Sequence, residues 1–412
     1  MVDLEAADLP LAGIRALDLG TFIAGPAAAT VMADFGAAVI KVEQPTIGDP
    51  YRYLSMLPPL PAAPENYCWL LDGRGKRALA LDLKRPEARP IVERLVRWAD
   101  VIVTNFPPAV RARLRLTYDD LRPLNPRLIY AAVTGYGESG PERDKPGYDA
   151  TAWWARSGFM DAYARLYGEP PMSFPGMGDH PTAMSLFGAI MMALYRRERT
   201  GAGALVTTSL VANGVWSAGC AAQAVLSRAE PWQVPGRASW PNALLNTYRT
   251  ADGRWLFLVM ITEDREWPGL ARALGQPGLV SDARFVDTAA RRCNAAALIA
   301  LLDAAFATRP LAEWRDALDA EGVTFGLVAA FEDVPGDPQL RSAGVLVPLD
   351  LGDGAERYTV SSPIALAGVE KRPAERAPEI GEHSRAVLRE LGLAEAEIDA
   401  LCAAGVVRAT DH

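Results

Sequence analysis

Gly176-Met177-Gly178-Asp179-His180-Pro181 stands directly before the most apolar stretch of the chain, Met184 to Tyr195. Two readings share that spacing. Aspartate is among the best helix N-caps, paired glycines make a tight turn, and proline near the first helical position is a common start signal, so the segment reads as a helix start. The same placement favours an ionised carboxylate at the positive end of the helix dipole, beside glycine N–H groups that a bound acyl group can approach closely. A poorly solvated carboxylate there is a usable covalent nucleophile. Residue types alone leave both readings open.

Other catalytic sets are weaker. The chain has three histidines, His180, His383 and His412, and contains neither G-x-S-x-G nor H-E-x-x-H, which disfavours Ser-His-Asp hydrolysis and histidine-based zinc chemistry. Cys68, Cys220, Cys293 and Cys402 are single and widely spaced, so no metal site or disulfide framework is expected, and a reducing, cytoplasmic compartment fits. Gly73, Gly75 and Ala78 match a dinucleotide fingerprint, but the strand-like ALALDL follows where a helix is needed. Gly135, Gly137 and Gly140 match it after a strand, yet Pro141 and a polar loop come next. Neither pattern offers a helix N-terminus to a pyrophosphate, so NAD and flavin are not expected.

The elements that must position Asp179 are an α/β series. IRALDL reads as a strand, Gly20 to Pro26 as a turn, PAAATVMADFGA as a helix and AAVIKVE as the next strand. ALALDL, a helix from Pro86 to Ala99, ADVIVTNF and RLIYAAVTGYG continue the alternation, which predicts a Rossmann-like, open, mostly parallel sheet. DHPTAMSLFGAIMMALYRRERTGAG reads as a buried helix that stops at Gly201 or Gly203. Between about Gln233 and Pro310 the pattern changes, with a hairpin signal ADGR between YRT and WLFLVM, and predicts a smaller α+β domain. HSRAVLRELG is expected to close the chain as a helix.

Composition bounds the partners. With 412 residues, half of them hydrophobic, the chain can bury roughly two to three domain-sized cores. A formal charge of −8 disfavours nucleic acid and anionic membrane as partners. The acidic start MVDLEAADLPLAG lacks a signal-type apolar region, and no run of about 18 apolar residues is free of charge, so no membrane association is expected.

The sequence resembles the class III CoA-transferases, also called the CaiB/BaiF or formyl-CoA transferase family. The resemblance is carried by LAGIRALDLGTFIAGPAAATVMADFGAAVIKVEQPTIGDPYR, GRGKRALALDLKRPEAR, ADVIVTNFPPAVRARLRLTYDDLRPLNPRLIYAAVTGYGESGP, PGYDATAWWARSG, GMGDHPTAMSLFGAIMMALYRRERTGAG and APEIGEHSRAVLRELG, in collinear order over nearly the whole chain. It implies that Asp179 is the nucleophile, carrying first an acyl anhydride and then a CoA thioester, with Gly178, Ile23 and Ala24 lining the reaction centre through their backbone. It implies coenzyme A and acyl-CoA as substrates, held by Lys76, Arg77, Asn105, Phe106, Arg113 and Tyr136, without metal. It also implies an interlocked homodimer, with a large domain of residues 1–225 plus 325–412 and a smaller domain of 226–324.

Departures from the family pattern bear on the substrate. Ile23 stands where the formyl-CoA member has glutamine, and GRASWPNALLNTY lacks that member's glycine-rich flap, so a larger or more apolar acyl group than oxalate is expected. An α-methylacyl-CoA racemase of the same superfamily would need a histidine in the PGYD segment, where Tyr148 stands before Asp149, and a tyrosine is a poor base at neutral pH. A CoA-ester-binding protein without turnover is the remaining alternative, against which Asp179 and its glycines speak.

Overall fold

The computed structural model describes residues 9–230 and 235–410. His412 and most of the acidic N-terminal segment lie outside these. The chain divides into two compact units, one formed by the residues up to Ala229 together with those from Pro338 onward, the other by Glu230–Asp337.

The first unit is built on parallel strands β1 (Arg15–Asp18), β2 (Ala38–Glu43), β3 (Lys76–Leu81), β4 (Val101–Thr104), β5 (Ile129–Thr134) and β6 (Ala204–Ser209). Their spatial order is β3-β2-β1-β4-β5-β6, and Val407–Arg408 adds a short antiparallel strand beside β3. This is the doubly wound order, and its direction reverses between β1 and β4. Strand alternation fills two cores. Ala16, Val39, Val103, Ala131 and Val133 face the helices Ala24–Asp34 and Asp179–Thr200, while Leu17, Ile40, Leu79, Ile102 and Tyr130 face the helices Arg89–Trp98 and Ser384–Glu390. All eleven residues of Ala24–Asp34 are buried, because the helix lies between the sheet and Asp179–Thr200; alanines at 27, 28, 29 and 33 permit that approach.

The helix Asp179–Thr200 ends at Gly201, whose φ of 72° supplies the left-handed C-cap the sequence suggests. It is less buried than its composition implies. Leu186, Phe187, Ile190 and Leu194 enter the core, whereas Met192 and Tyr195 are both 70% exposed.

Four charged side chains are buried at the sheet's centre. Lys41 Nζ lies 2.8 Å from Asp49 Oδ2 and 3.7 Å from Asp18 Oδ1, and donates to the Gly20 carbonyl. Lys76 Nζ donates to Asp18 Oδ2 at 2.9 Å and to the Pro26 carbonyl at 2.7 Å. Burial alone would raise the Asp18 carboxyl, but the two ammoniums hold it below the usual aspartate range.

The second unit packs the antiparallel sheet β7 (Leu245–Arg249), β8 (Trp255–Val259) and β9 (Phe325–Val328) on helices Glu263–Ala273, Ala295–Phe306 and Leu311–Ala320, around Tyr248, Leu256, Trp267, Phe306 and Trp314. The β7–β8 hairpin turns at the expected Ala-Asp-Gly, with Gly253 at φ 80°. Both boundaries differ from the sequence reading of 226–324, the start by four residues and the end by more. Phe325–Val328 pairs with β8, and this unit runs to Asp337.

Replacing Lys41 by methionine leaves the Asp18–Asp49 side of the network without its ammonium. Unfolding in urea at neutral pH is expected to show a loss of about 3–5 kcal/mol, against less than about 0.5 kcal/mol for the same change at exposed Lys84.

Candidate active site

Asp179 is the first residue of its helix, and Gly178 is the N-cap residue, with no side-chain capping bond. The N-cap role suggested by the sequence therefore falls away. Among the described residues no donor bonds the half-buried Asp179 carboxylate, so its lone pairs are not consumed by the fold. The backbone around it is tightly set. A Cβ on Gly178 would lie 2.5 Å from Trp153 Cγ, and one on Gly176, where φ is 81°, would lie 2.8 Å from His180 Nδ1. These two glycines are needed for close approach and for the turn.

The electrostatics oppose ionisation. Burial, the Asp149 carboxylate and the Asp72 carboxylate push the Asp179 carboxyl up to about 7, with His180 acting the other way. Asp149 is itself buried, in the π-helical segment Asp149–Ala155, which is fixed where Gly135 and Gly147 pass backbone to backbone. The Gly178 N–H points to Asp149 Oδ2 at 3.5 Å, so it is not an uncommitted oxyanion donor.

The loop after β1 links this centre to a cleft. Phe22 adopts a left-handed conformation, φ 59°, with its N–H on Asp49 Oδ1 at 2.9 Å. That places Ile23 Cδ1 3.5 Å from a Cβ built on Gly176, beside Asp179. Ile23 and Ala24 are buried at the start of the helix Ala24–Asp34, whose first turn has no side-chain cap. Gly20 and Thr21, at the other end of the loop, line a cleft of about 260 Å³ with Val42, Leu83, Lys84, Phe106 and Arg113 among its walls. It sits past the C-terminal ends of β1, β2, β3 and β4, where an open α/β sheet binds ligands.

The sequence-predicted CoA residues divide on this geometry. Phe106 and Arg113 line the cleft, and Arg113 is exposed. Asn105 instead clamps the loop, accepting from Thr21 N at 2.9 Å and donating to Thr21 O at 2.7 Å. Lys76 is buried with its ammonium on Asp18 and Pro26, and is closed to a ligand. Arg77 pairs with Glu390 at 2.6 Å and is not a cleft wall. Both lie at the start of β3, whereas the cleft forms beyond its end. Tyr136 packs on Gly147, with Lys145 Nζ 5.1 Å from its ring centre, away from the cleft walls. Lys84, directly after the strand ALALDL, is a further cleft wall that the sequence reading did not single out. Asp72 and Asp149 were missed as neighbours of Asp179, because no local spacing reports them. Tyr148, at the racemase histidine position, stacks edge-on to Phe22 with ring centres 5.8 Å apart.

The pattern of the family described as CoA-transferase family III matches residues 11–384. The chain belongs to that family. It is 31% identical over 392 residues to the cinnamoyl-CoA:phenyllactate CoA-transferase of Clostridium sporogenes, covering 94% of this chain and 95% of the relative. It is 33% identical over 400 residues to the succinate–glutarate CoA-transferase of Agrobacterium fabrum, covering 95% and 98%. A crystal structure of a CaiB/BaiF family protein from Brucella suis superposes with a TM-score of 0.81 at 30% identity, covering 93% of this chain and 99% of that one. The enzyme is thus a family III CoA-transferase with a large, mostly parallel sheet.

An aspartate that titrates near 7 when folded and near 3.8 otherwise binds a proton more tightly in the folded state across that interval. Its ionised form costs stability above about pH 7, and the cost fades as pH falls towards 4. Asp179→Asn is expected to melt higher than wild type at pH 8, by a margin that shrinks steadily down to pH 4.5 in differential scanning calorimetry.

Proposed function

We propose that this family III CoA-transferase moves CoA from an acyl-CoA donor to a carboxylic acid acceptor through covalent intermediates on Asp179. The observation that carries the reading is a half-buried carboxylate, at a helix N-terminus, that no side chain or backbone donor among the described residues engages. The Asp179 carboxylate attacks the donor thioester, the C–S bond breaks, and CoA leaves as thiolate from a mixed anhydride. The thiolate attacks the aspartyl carbonyl, expelling the donor carboxylate and leaving an aspartyl-CoA thioester. The acceptor carboxylate attacks that thioester, releasing thiolate, which then attacks the acceptor carbonyl and frees Asp179. No proton is gained or lost overall. The uncapped N–H groups of Ile23, Ala24 and Gly25 support a role as oxyanion donors.

For the nucleotide end of CoA we assign the cleft, with Phe106 against the adenine and exposed Lys84 and Arg113 toward phosphates. Ile23 over the Gly176 turn and Trp153 beneath Gly178 favour an apolar acyl group, closer in character to the phenyllactate of one relative than to the short dicarboxylates of the other. Trp216, Val225 and Leu226, each at least 70% exposed, support a homodimer in which a second chain covers them. Cytoplasmic residence fits four cysteines, none of them bridged.

Intact-mass spectrometry after incubation with a panel of acyl-CoAs is expected to show a hydroxylamine-sensitive CoA adduct on wild type and none on Asp179→Ala. An equal adduct on the variant would exclude Asp179 as the carrier. In steady-state assays, Lys84→Ala and Arg113→Ala are each expected to raise KM for the acyl-CoA about three- to tenfold with kcat retained. Oxalate outcompeting every bulkier acid as acceptor would count against the apolar acyl site.

A further inference from the structure

His180 is next to Asp179 in sequence, yet its side chain turns to a different partner. Nε2 lies 3.3 Å from both carboxylate oxygens of Asp72, and Nδ1 lies 3.1 Å from the Gly176 carbonyl. A carbonyl and an ionised carboxylate only accept hydrogen bonds, so a proton on each ring nitrogen turns both contacts into hydrogen bonds, and a doubly protonated ring is an imidazolium. The seat is specific in shape, because a Cβ at position 176 would lie 2.8 and 2.9 Å from Nδ1 and Cε1.

Asp72 is itself placed where an anion needs help. It is 3% exposed, in the last turn of the helix Tyr67–Gly73, where the dipole disfavours negative charge. It accepts from Tyr51 Oη at 2.7 Å, and its ion-pair partner is His180. The charged or titratable groups around this cluster are Asp72, Tyr51, Cys68, Asp149, Asp179 and Lys76, whose ammonium is bonded to Asp18 and the Pro26 carbonyl and feels Asp72 through space. Three of these are carboxylates, and with the Lys76 ammonium committed to Asp18, His180 is the cation in contact with the Asp72 carboxylate.

We propose that His180 is a positioning residue, held as an imidazolium between Asp72 and the Gly176 carbonyl, whose positive charge favours the ionised form of Asp179 against the neighbouring carboxylates. Burial works against the charged ring, but the bond to Asp72 holds its pKa above the ordinary histidine value. Its charge in turn lowers the Asp179 carboxyl, opposite in sign to burial and Asp149. The proposal deepens the transfer mechanism and rests on it for its catalytic meaning, while the charge pairing is measurable without any substrate.

Infrared difference spectra of wild type minus Asp179→Asn, recorded against pH, follow the protonated carboxyl of Asp179 directly. The midpoint in a His180→Asn background is expected about one unit above that in the wild-type background, and His180→Lys, which restores the charge, is expected to bring it back. In charging of Asp179 by the panel's acyl-CoAs, His180→Asn is expected to slow the reaction about fivefold at pH 7 and to match wild type at pH 9, as the ionised fractions dictate. A midpoint that His180→Asn leaves in place or lowers, or a rate loss equal at all pH values, overturns the proposal. An unmoved midpoint with the CoA adduct still forming rejects the charge pairing and leaves the transfer mechanism standing. A shifted midpoint with no adduct from any acyl-CoA does the reverse.

Discussion

Everything near the reaction centre depends on Lys41 being buried among acceptors. Its ammonium reaches Asp49, Asp18 and the Gly20 carbonyl at once, at the point where β1 and β2 end. A buried cation must be surrounded this way or it costs several kcal/mol. Satisfying it fixes the backbone beyond β1, and that backbone is the wall between the cleft and Asp179. Asp49, held by Lys41, accepts the Phe22 N–H; Asn105, at the end of β4, takes both backbone groups of Thr21. The loop is therefore tied on both sides of the strand-order reversal. Phe22 can occupy a left-handed conformation only because these bonds over-determine it, and Ile23 reaches the Gly176 turn as a result.

Much of this was legible in the chain. Alternating apolar residues in IRALDL, AAVIKVE, ALALDL and RLIYAAVT gave the parallel sheet, and Gly-Asp before an apolar run gave the start of the long helix. These signals are local, and periodicity reports them. What could not be read was partner choice over long separation. Lys76 lies in a basic cluster that looks like a phosphate site, yet it pairs with Asp18 fifty-eight residues away, because its side chain points inward from the start of β3. Lys84, eight residues beyond Lys76 and three beyond the end of that strand, is a cation that lines the cleft. In a parallel sheet the two ends of one strand have different fates, and a basic residue's position along the strand matters more than its presence in a motif. The same limitation hid Asp72 and Asp149, which approach Asp179 from 107 and 30 residues away and leave no spacing to detect. The end of the smaller unit was missed for a related reason: an apolar strand such as Phe325–Val328 carries no label saying which sheet it joins.

The raised proton affinity of Asp179 has a chemical use on the proposed pathway. In a mixed anhydride the CoA thiolate can attack either carbonyl. Attack on the donor carbonyl expels Asp179 and undoes the first step; attack on the aspartyl carbonyl expels the donor carboxylate and moves CoA onto the enzyme. The less basic carboxylate is the better leaving group. Ordinary carboxylic acids titrate near about 4 to 5, whereas burial, Asp149 and Asp72 bring Asp179 to about 7. That difference favours departure of the donor acid, so the surroundings that make Asp179 reluctant to ionise also drive the exchange forward once it has reacted. The opposing requirement is that enough Asp179 be ionised to begin. On the proposed pairing, the His180 charge sets that balance: with more positive charge, Asp179 would become as good a leaving group as the donor acid, and with less, it would wait protonated.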